Sequence, residues 1–285
     1  MIDPASVDWS TARRASYRLR QTFRYEYTQP IADLNHRLVV IPPARFGDQR
    51  RTHHDLLVGL KEIQIQNLED RFGNVVVDVF APQVHEAIEF VAEVSVDRSA
   101  AEPNVVVAGW PPENWLLEPT ALTAPDERIL GAAEELAAAA EYGLELADRI
   151  NDWVYGAMTY RHDVTGVRTT AAEALALGSG VCQDYAHVML AVARACGLPS
   201  RYVSGHMVGL GGTHAWVEVV LPAPGGRDAV ASAFDPTHAS RVGLGYVTIA
   251  VGRDYSDVAP TSGHYLGGGT GRLTTTKQVT LTDLR

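Results

Sequence analysis

The hydrophobic period of this chain changes once, and the change limits what it can fold into. Residues 17–98 carry a two-residue period. Tyr17, Leu19, Gln21 and Phe23 alternate with Arg18, Arg20 and Arg24. Successive side chains of a strand point to opposite faces, so this alternation predicts a strand with one buried face. Apolar runs over 38–41, 56–65, 75–80 and 88–96 predict further strands, and Pro42-Pro43 stops the first. Asp70-Arg71-Phe72-Gly73-Asn74 has turn chemistry. No helical period interrupts this stretch, so residues 1–99 are expected to form an antiparallel β-sandwich.

Residues 100–125 hold five prolines and little periodicity. They read as a strap between two units, with Trp110 and Trp115 as its anchors. Helical spacing then takes over. Ala132 to Ala140 is a strong helix former, and Ile150, Trp153, Val154 and Ala157 share one face. Thr170 caps a short helix ending near Leu177, and Gly178-Ser179-Gly180 breaks it. A second helix follows from Cys182 to about Cys196, closed by Gly197 and Pro199. Strand-like runs recur over 201–208, 215–221, 229–234, 247–251 and 273–281. Helices followed by strands give an α+β class, with 126–285 as a second unit.

The thiols, imidazoles and carboxylates of that second unit carry its chemistry. Cys182 falls in the first turn of a helix, where unpaired N–H groups favour a thiolate. Gly178 and Gly180 leave room for a substrate carbonyl to approach backbone donors beside the sulfur. His214 follows the flexible Gly209-Leu210-Gly211-Gly212 turn. Asp235 ends the next strand and is fixed by Pro236. If these strands pair, Asp235 can orient the imidazole while its other nitrogen faces sulfur, which is the logic of a nucleophile–base–carboxylate triad. Cys196 lacks such company and reads as a small buried hydrophobe. His187 lies five residues after Cys182, about 140° round the helix, and points elsewhere. Gln183, Asp184, His206 and Trp216 are the candidate substrate-side residues.

Composition narrows the partners. The 285 residues include 24 basic and 34 acidic side chains, a formal charge of −10. Nucleic acid and anionic membranes reward basic patches, so neither is expected as a partner. No Cys-x-x-Cys or His-x-x-x-His spacing occurs, so no metal or cofactor is expected. The two cysteines, about 21 Å apart along one helix, are too far separated for a bridge. Free thiols and the absence of a signal-like N-terminus point to the cytoplasm.

Several ordered motifs resemble the bacterial transglutaminase-like superfamily. They are Gly-Val-Cys-Gln-Asp-Tyr-Ala-His (180–187), Arg-Tyr-Val-Ser-Gly (201–205), His-Ala-Trp-Val-Glu (214–218), Phe-Asp-Pro-Thr (234–237) and Val-Gly-Arg-Asp-Tyr (251–255). Tyr25-x-Tyr27, Asp70-x-Phe72-Gly73-Asn74 and the strand after His85 resemble that group's N-terminal β-sandwich. The resemblance implies a papain-like core with Cys182 as nucleophile, His214 as base and Asp235 as orienting carboxylate. It also implies acyl transfer from a peptide or protein amide through a thioester. Two positions depart from the usual pattern, Ala231-Ser232-Ala233 and His238, and both are expected at the cleft wall. Hydrolysis is favoured over amine cross-linking, because water far outnumbers any amine. A non-catalytic peptide-binding scaffold is the alternative from another class.

Overall fold

The computed structural model describes residues 2–100, 105–107, 113–223, 225 and 227–285. Two antiparallel sheets form the sandwich. The first has the order Gly271–Leu284, Arg14–Tyr27, Ala87–Ser99, Gln49–Val58, Arg45–Phe46. The second has the order Thr261–Leu266, Ile31–Ile41, Val75–Val84, Gln64–Glu69. Phe23, Ile31, Leu34, Leu38, Val79 and Phe90 lie in the core between them.

The alternation read from Tyr17 to Phe23 holds, but its buried row serves two cores. Phe23 enters the sandwich core, while Tyr17 and Leu19 join the core of the second unit. Two other readings are revised. The run at 38–41 is the end of a longer strand, Ile31–Ile41. Asp33, in a left-handed conformation with φ 48°, breaks the alternation early in that strand. The run at 56–65 divides into the end of Gln49–Val58 and the start of Gln64–Glu69, which lie in different sheets.

Residues 261–284, placed by sequence with the second unit, hydrogen-bond into the sandwich instead. Thr261–Leu266 pairs with Ile31–Ile41, and Gly271–Leu284 pairs along the length of Arg14–Tyr27. Alternation marks a strand but not its partner. Here the partner is an edge some 250 residues earlier in the chain that would otherwise expose unpaired backbone.

In the second unit, helices Glu127–Ala139, Leu144–Ala157 and Ala171–Leu177 surround the helix Cys182–Ala195. That helix lies on a sheet of order Ser240–Arg241, Ala229–Asp235, His214–Pro222, Ser200–Met207, Tyr246–Gly252. It is buried continuously from Asp184 to Arg194, and its alanines let neighbours close in on every side. Helices on an antiparallel sheet, beside a sandwich, make the chain α+β as expected.

Two buried amide side chains join the units. Gln49 pairs with both the N–H and the C=O of Thr248, at 2.9 and 2.8 Å. Asn74 does the same to Val251, at 2.8 and 2.7 Å. Both therefore act as pieces of neighbouring strand along Tyr246–Gly252. The predicted turn presents Asn74. Asp70 accepts from the N–H groups of Phe72 and Asn74, and Gly73 takes φ 83°. Phe72 from the same turn meets Trp115 edge-on at 4.9 Å, so Trp115 is an anchor of the strap. Trp110 lies outside the described residues.

Candidate active site

Cys182 is placed by two successive helix caps. Thr170 and Glu173 form a capping box at the start of Ala171–Leu177, and Gly178 ends that helix at φ 63°. The chain then crosses Ser179–Gly180 and enters the next helix at Cys182. Asp184 folds back there. Its Oδ2 accepts from the Val181 N–H at 2.8 Å and from the Thr165 hydroxyl at 2.6 Å. A Cβ on residue 180 would stand 2.5 Å from that same oxygen. Gly180 is thus required by the Asp184 carboxylate. Burial pushes the Asp184 carboxyl up, against those hydrogen bonds. The residue braces the helix start from beneath and does not face the cleft. Gln183 stays at the margin, its amide donating to the Val167 carbonyl at 3.2 Å.

His214 opens its strand, buried to 4% exposure. Its Nε2 lies 2.7 Å from Asp235 Oδ2. The Cys182 thiol stands near enough to the same imidazole to act on its charge. Burial alone would hold the imidazole neutral. The hydrogen bond to Asp235 and the effect of Cys182 outweigh it and raise the His214 pKa to about 9. Burial likewise works against an ionised Asp235. Hydrogen bonds from His214 and His238 win and hold the carboxyl well below its usual range.

Asp235 is fixed from several sides. Its Oδ1 accepts from the Thr237 N–H at 2.9 Å, and its Oδ2 also receives the Tyr246 hydroxyl at 2.9 Å and His238 Nδ1 at 2.8 Å. His238, one of the two departures noted above, therefore sits on the orienting carboxylate. The other, Ala231-Ser232-Ala233, lines a separate cavity of about 180 Å³ behind Trp216. Although no metal spacing exists in sequence, the fold gathers His214, Asp235 and His238 with one ligand atom each within 4.8 Å. Both imidazoles there are engaged on a single carboxylate oxygen.

Trp216 and His206 are positioned for support. Trp216 is fully buried, its ring 6.2 Å from that of His214 and 5.5 Å from that of Tyr246. It can lie across the neighbouring strand because residue 205 is glycine; a Cβ there would come within 2.4 Å of the indole. His206 is 1% exposed. Its Nδ1 lies 3.0 Å from the Gly212 carbonyl, so it pins the loop before His214, and burial draws its pKa down to about 4. Both side chains are closed off from solvent. His187 points away as expected, accepting the Tyr255 N–H at 3.2 Å.

A cleft of about 880 Å³ opens beside His214, lined by Tyr155, Met158, Tyr160, His162, Leu210 and His238 among others. The sequence reading missed this aromatic wall and also Tyr246. The wall residues sit on helix ends and loops, where no periodic pattern singles them out. Tyr246 carried one signal, its place at the start of an apolar strand next to Gly243 and Gly245.

Two family models match the chain, one in each unit. The transglutaminase-like superfamily core model covers residues 131–227, and the bacterial transglutaminase-like N-terminal region covers 17–97. An uncharacterised Mycobacterium leprae protein is 31% identical over 232 residues, 74% of this chain and 80% of the relative. An uncharacterised Mycobacterium bovis protein is 28% identical over 279 residues, 87% of each chain. Among solved structures, a candidate cysteine protease from Cytophaga hutchinsonii shares the fold at TM-score 0.75 and 21% identity, covering 95% of this chain and 92% of that one.

Proposed function

This chain belongs to the transglutaminase-like superfamily, and on that footing we propose that it is a cysteine acyl-transfer enzyme acting on peptide or isopeptide amides. The observation that carries the reading is the placement of His214, held by Asp235 at 2.7 Å and close enough to Cys182 for the thiol to help raise its pKa.

With its pKa raised to about 9, His214 already holds the proton it shares with Cys182 when the thiolate attacks the amide carbonyl carbon. Negative charge moves to the carbonyl oxygen. The free N–H groups of the first turn of Cys182–Ala195 offer donors for it. The C–N bond then breaks, and the imidazolium gives its proton to the departing amine. A thioester remains on Cys182. Water, deprotonated by His214, attacks that thioester and releases an acid and the thiol. Asp235 keeps its charge throughout and stabilises the imidazolium. A primary amine in place of water would give cross-linking. Hydrolysis is the favoured outcome, because the cleft is open on its Tyr155 and Leu210 side, where both residues are exposed.

A library of peptide and γ-glutamyl amides, assayed with and without a primary amine, tests this reading. Released acid that depends on Cys182 is expected, with little amine adduct. Dominant amine adducts would make the protein a cross-linking enzyme. No turnover of any amide, with substrate bound, would favour the peptide-binding scaffold.

A further inference from the structure

The last strand brings a lysine up to Thr213, on the rim of this cleft. The inward row of Gly271–Leu284 runs Leu281, Val279, Lys277, opposite Tyr17, Leu19 and Gln21. Leu281 and Val279 pack on the core of the second unit. Alternation carries the next inward side chain along the same face. Lys277 is half-buried there. Its ammonium donates to Thr213 Oγ1 at 3.4 Å, on the residue just before His214, and stands 5.8 Å from the centre of the Phe23 ring.

The Cys182 sulfur and His206 are within electrostatic range of this charge. Among the described residues, no carboxylate pairs with it. Burial accordingly draws its pKa down. A partly buried cation without a counter-ion is costly to the fold by itself. Its compensation comes when an anion enters, and a lysine acts on such a group as a point charge. The cleft wall carries aromatic and apolar groups and three histidines, with no lysine or arginine among its lining, so the ammonium of Lys277 on Thr213 is the fixed positive charge nearest to it.

We propose that Lys277 is the anion-recognition group of the acyl-donor site, and that the preferred donors carry a carboxylate close to the scissile amide, as γ-glutamyl amides do. This rests on the acyl-transfer reading above and adds the class of substrate. The carboxylate on Lys277 would hold the amide carbonyl over Cys182, with the apolar part of the substrate against Tyr160 and Leu210.

The test compares two alkylating agents of similar size on the full chain. Iodoacetate carries the anion and iodoacetamide does not. The rate of Cys182 modification by each is measured in the native protein and in Lys277→Met, Lys277→Gln and Lys277→Arg. The iodoacetate-to-iodoacetamide ratio is expected to fall about tenfold in the Met and Gln variants and to be largely kept in Arg, the size of effect that one near charge gives in a partly dry site. A ratio that stays within about twofold overturns the proposal, including the case where both rates fall together and Lys277 acts on the sulfur alone. Using both Met and Gln guards against one of them failing to fold. Failure of iodoacetamide to label Cys182 in the native protein would instead count against the acyl-transfer reading. A second measurement identifies the carboxylate. KM for a γ-glutamyl amide should rise about tenfold when its α-carboxylate is amidated, and that difference should vanish in Lys277→Met.

Discussion

Cys182 and Cys196 stand at opposite ends of one buried helix, and both are partly exposed free thiols. They differ in what surrounds them. Cys196 caps the C-terminal end, where its Sγ donates to the Ala133 carbonyl at 3.4 Å and burial raises its pKa to about 11. Cys182 opens the N-terminal end and meets His214, an imidazole held by Asp235. Exposure does not separate the two, and neither does the helix as a whole. The sheet beside the helix does, because two of its strands bring His214 and Asp235 to one end only. The proposed reactivity thus rests on the junction of helix and sheet.

The largest effect expected from this contrast is on turnover. Cys182→Ser should lower acyl transfer by about 10⁴-fold or more, whereas Cys196→Ser should leave it within about threefold. Steady-state rates on one amide substrate measure both. Comparable losses would erase the difference between the two ends.

The next largest concerns the carboxylate. Asp235→Asn should cost about 10³–10⁴-fold in turnover, because it loses the group that orients and charges His214. Tyr246→Phe and His238→Asn each remove one donor to Asp235 Oδ2, and each should cost about 3- to 10-fold, in keeping with ~1 kcal/mol for one hydrogen bond. A loss from His238→Asn as large as that from Asp235→Asn would move His238 from support to chemistry.

pH should separate the two ends further. The folded His214 has its pKa raised to about 9, above the usual 6.5. Its charged form is favoured by folding, so its contribution to stability is complete below about pH 6.5 and is lost as pH rises through about 9. Turnover, which needs the imidazolium to protonate the leaving amine, should fall over the same upper range. Asp235 has its pKa lowered, so its contribution is present above the usual carboxylate value of 3.8 and is lost as pH falls below it. Denaturant unfolding from pH 6 to 10, for the native protein against His214→Ala, should show the difference between them shrinking with pH. A constant difference would mean that His214 folds uncharged.

The smallest effect comes from the seam between the units. Asn74→Ala would leave the N–H and C=O of Val251 without their partners and should cost about 1–3 kcal/mol in denaturant unfolding. The affected strand, Tyr246–Gly252, carries Tyr246 to Asp235. Labelling of Cys182 should therefore slow about twofold, with Cys196 unmoved.

Local signals in the sequence carried much of this picture. Glycine breaks and helix caps place Cys182, and Pro236 marks Asp235, because caps and turns are set by neighbours within a few residues. Alternation found most of the sandwich strands for the same reason. Pairing across the chain was not legible. Residues 261–284 return to the sandwich, and the alternation of 273–281 is equally compatible with any open edge. Lys277 went unseen because its relation to Cys182 exists only after that return. Among the substrate-side candidates Gln183, Asp184, His206 and Trp216, sequence position alone does not say which way a side chain turns. In the fold Asp184, His206 and Trp216 are buried, with Asp184 on the Val181 N–H and His206 on the Gly212 carbonyl.

The central claim is that His214 makes Cys182, and not Cys196, the reactive thiol. Limiting iodoacetamide at pH 7, followed by mass spectrometry of both cysteine-bearing peptides, tests it in a single sample. Modification of Cys182 is predicted to run at least about tenfold ahead of Cys196, with that lead abolished by His214→Ala. Equal rates for the two thiols, or a lead that survives His214→Ala, would contradict it.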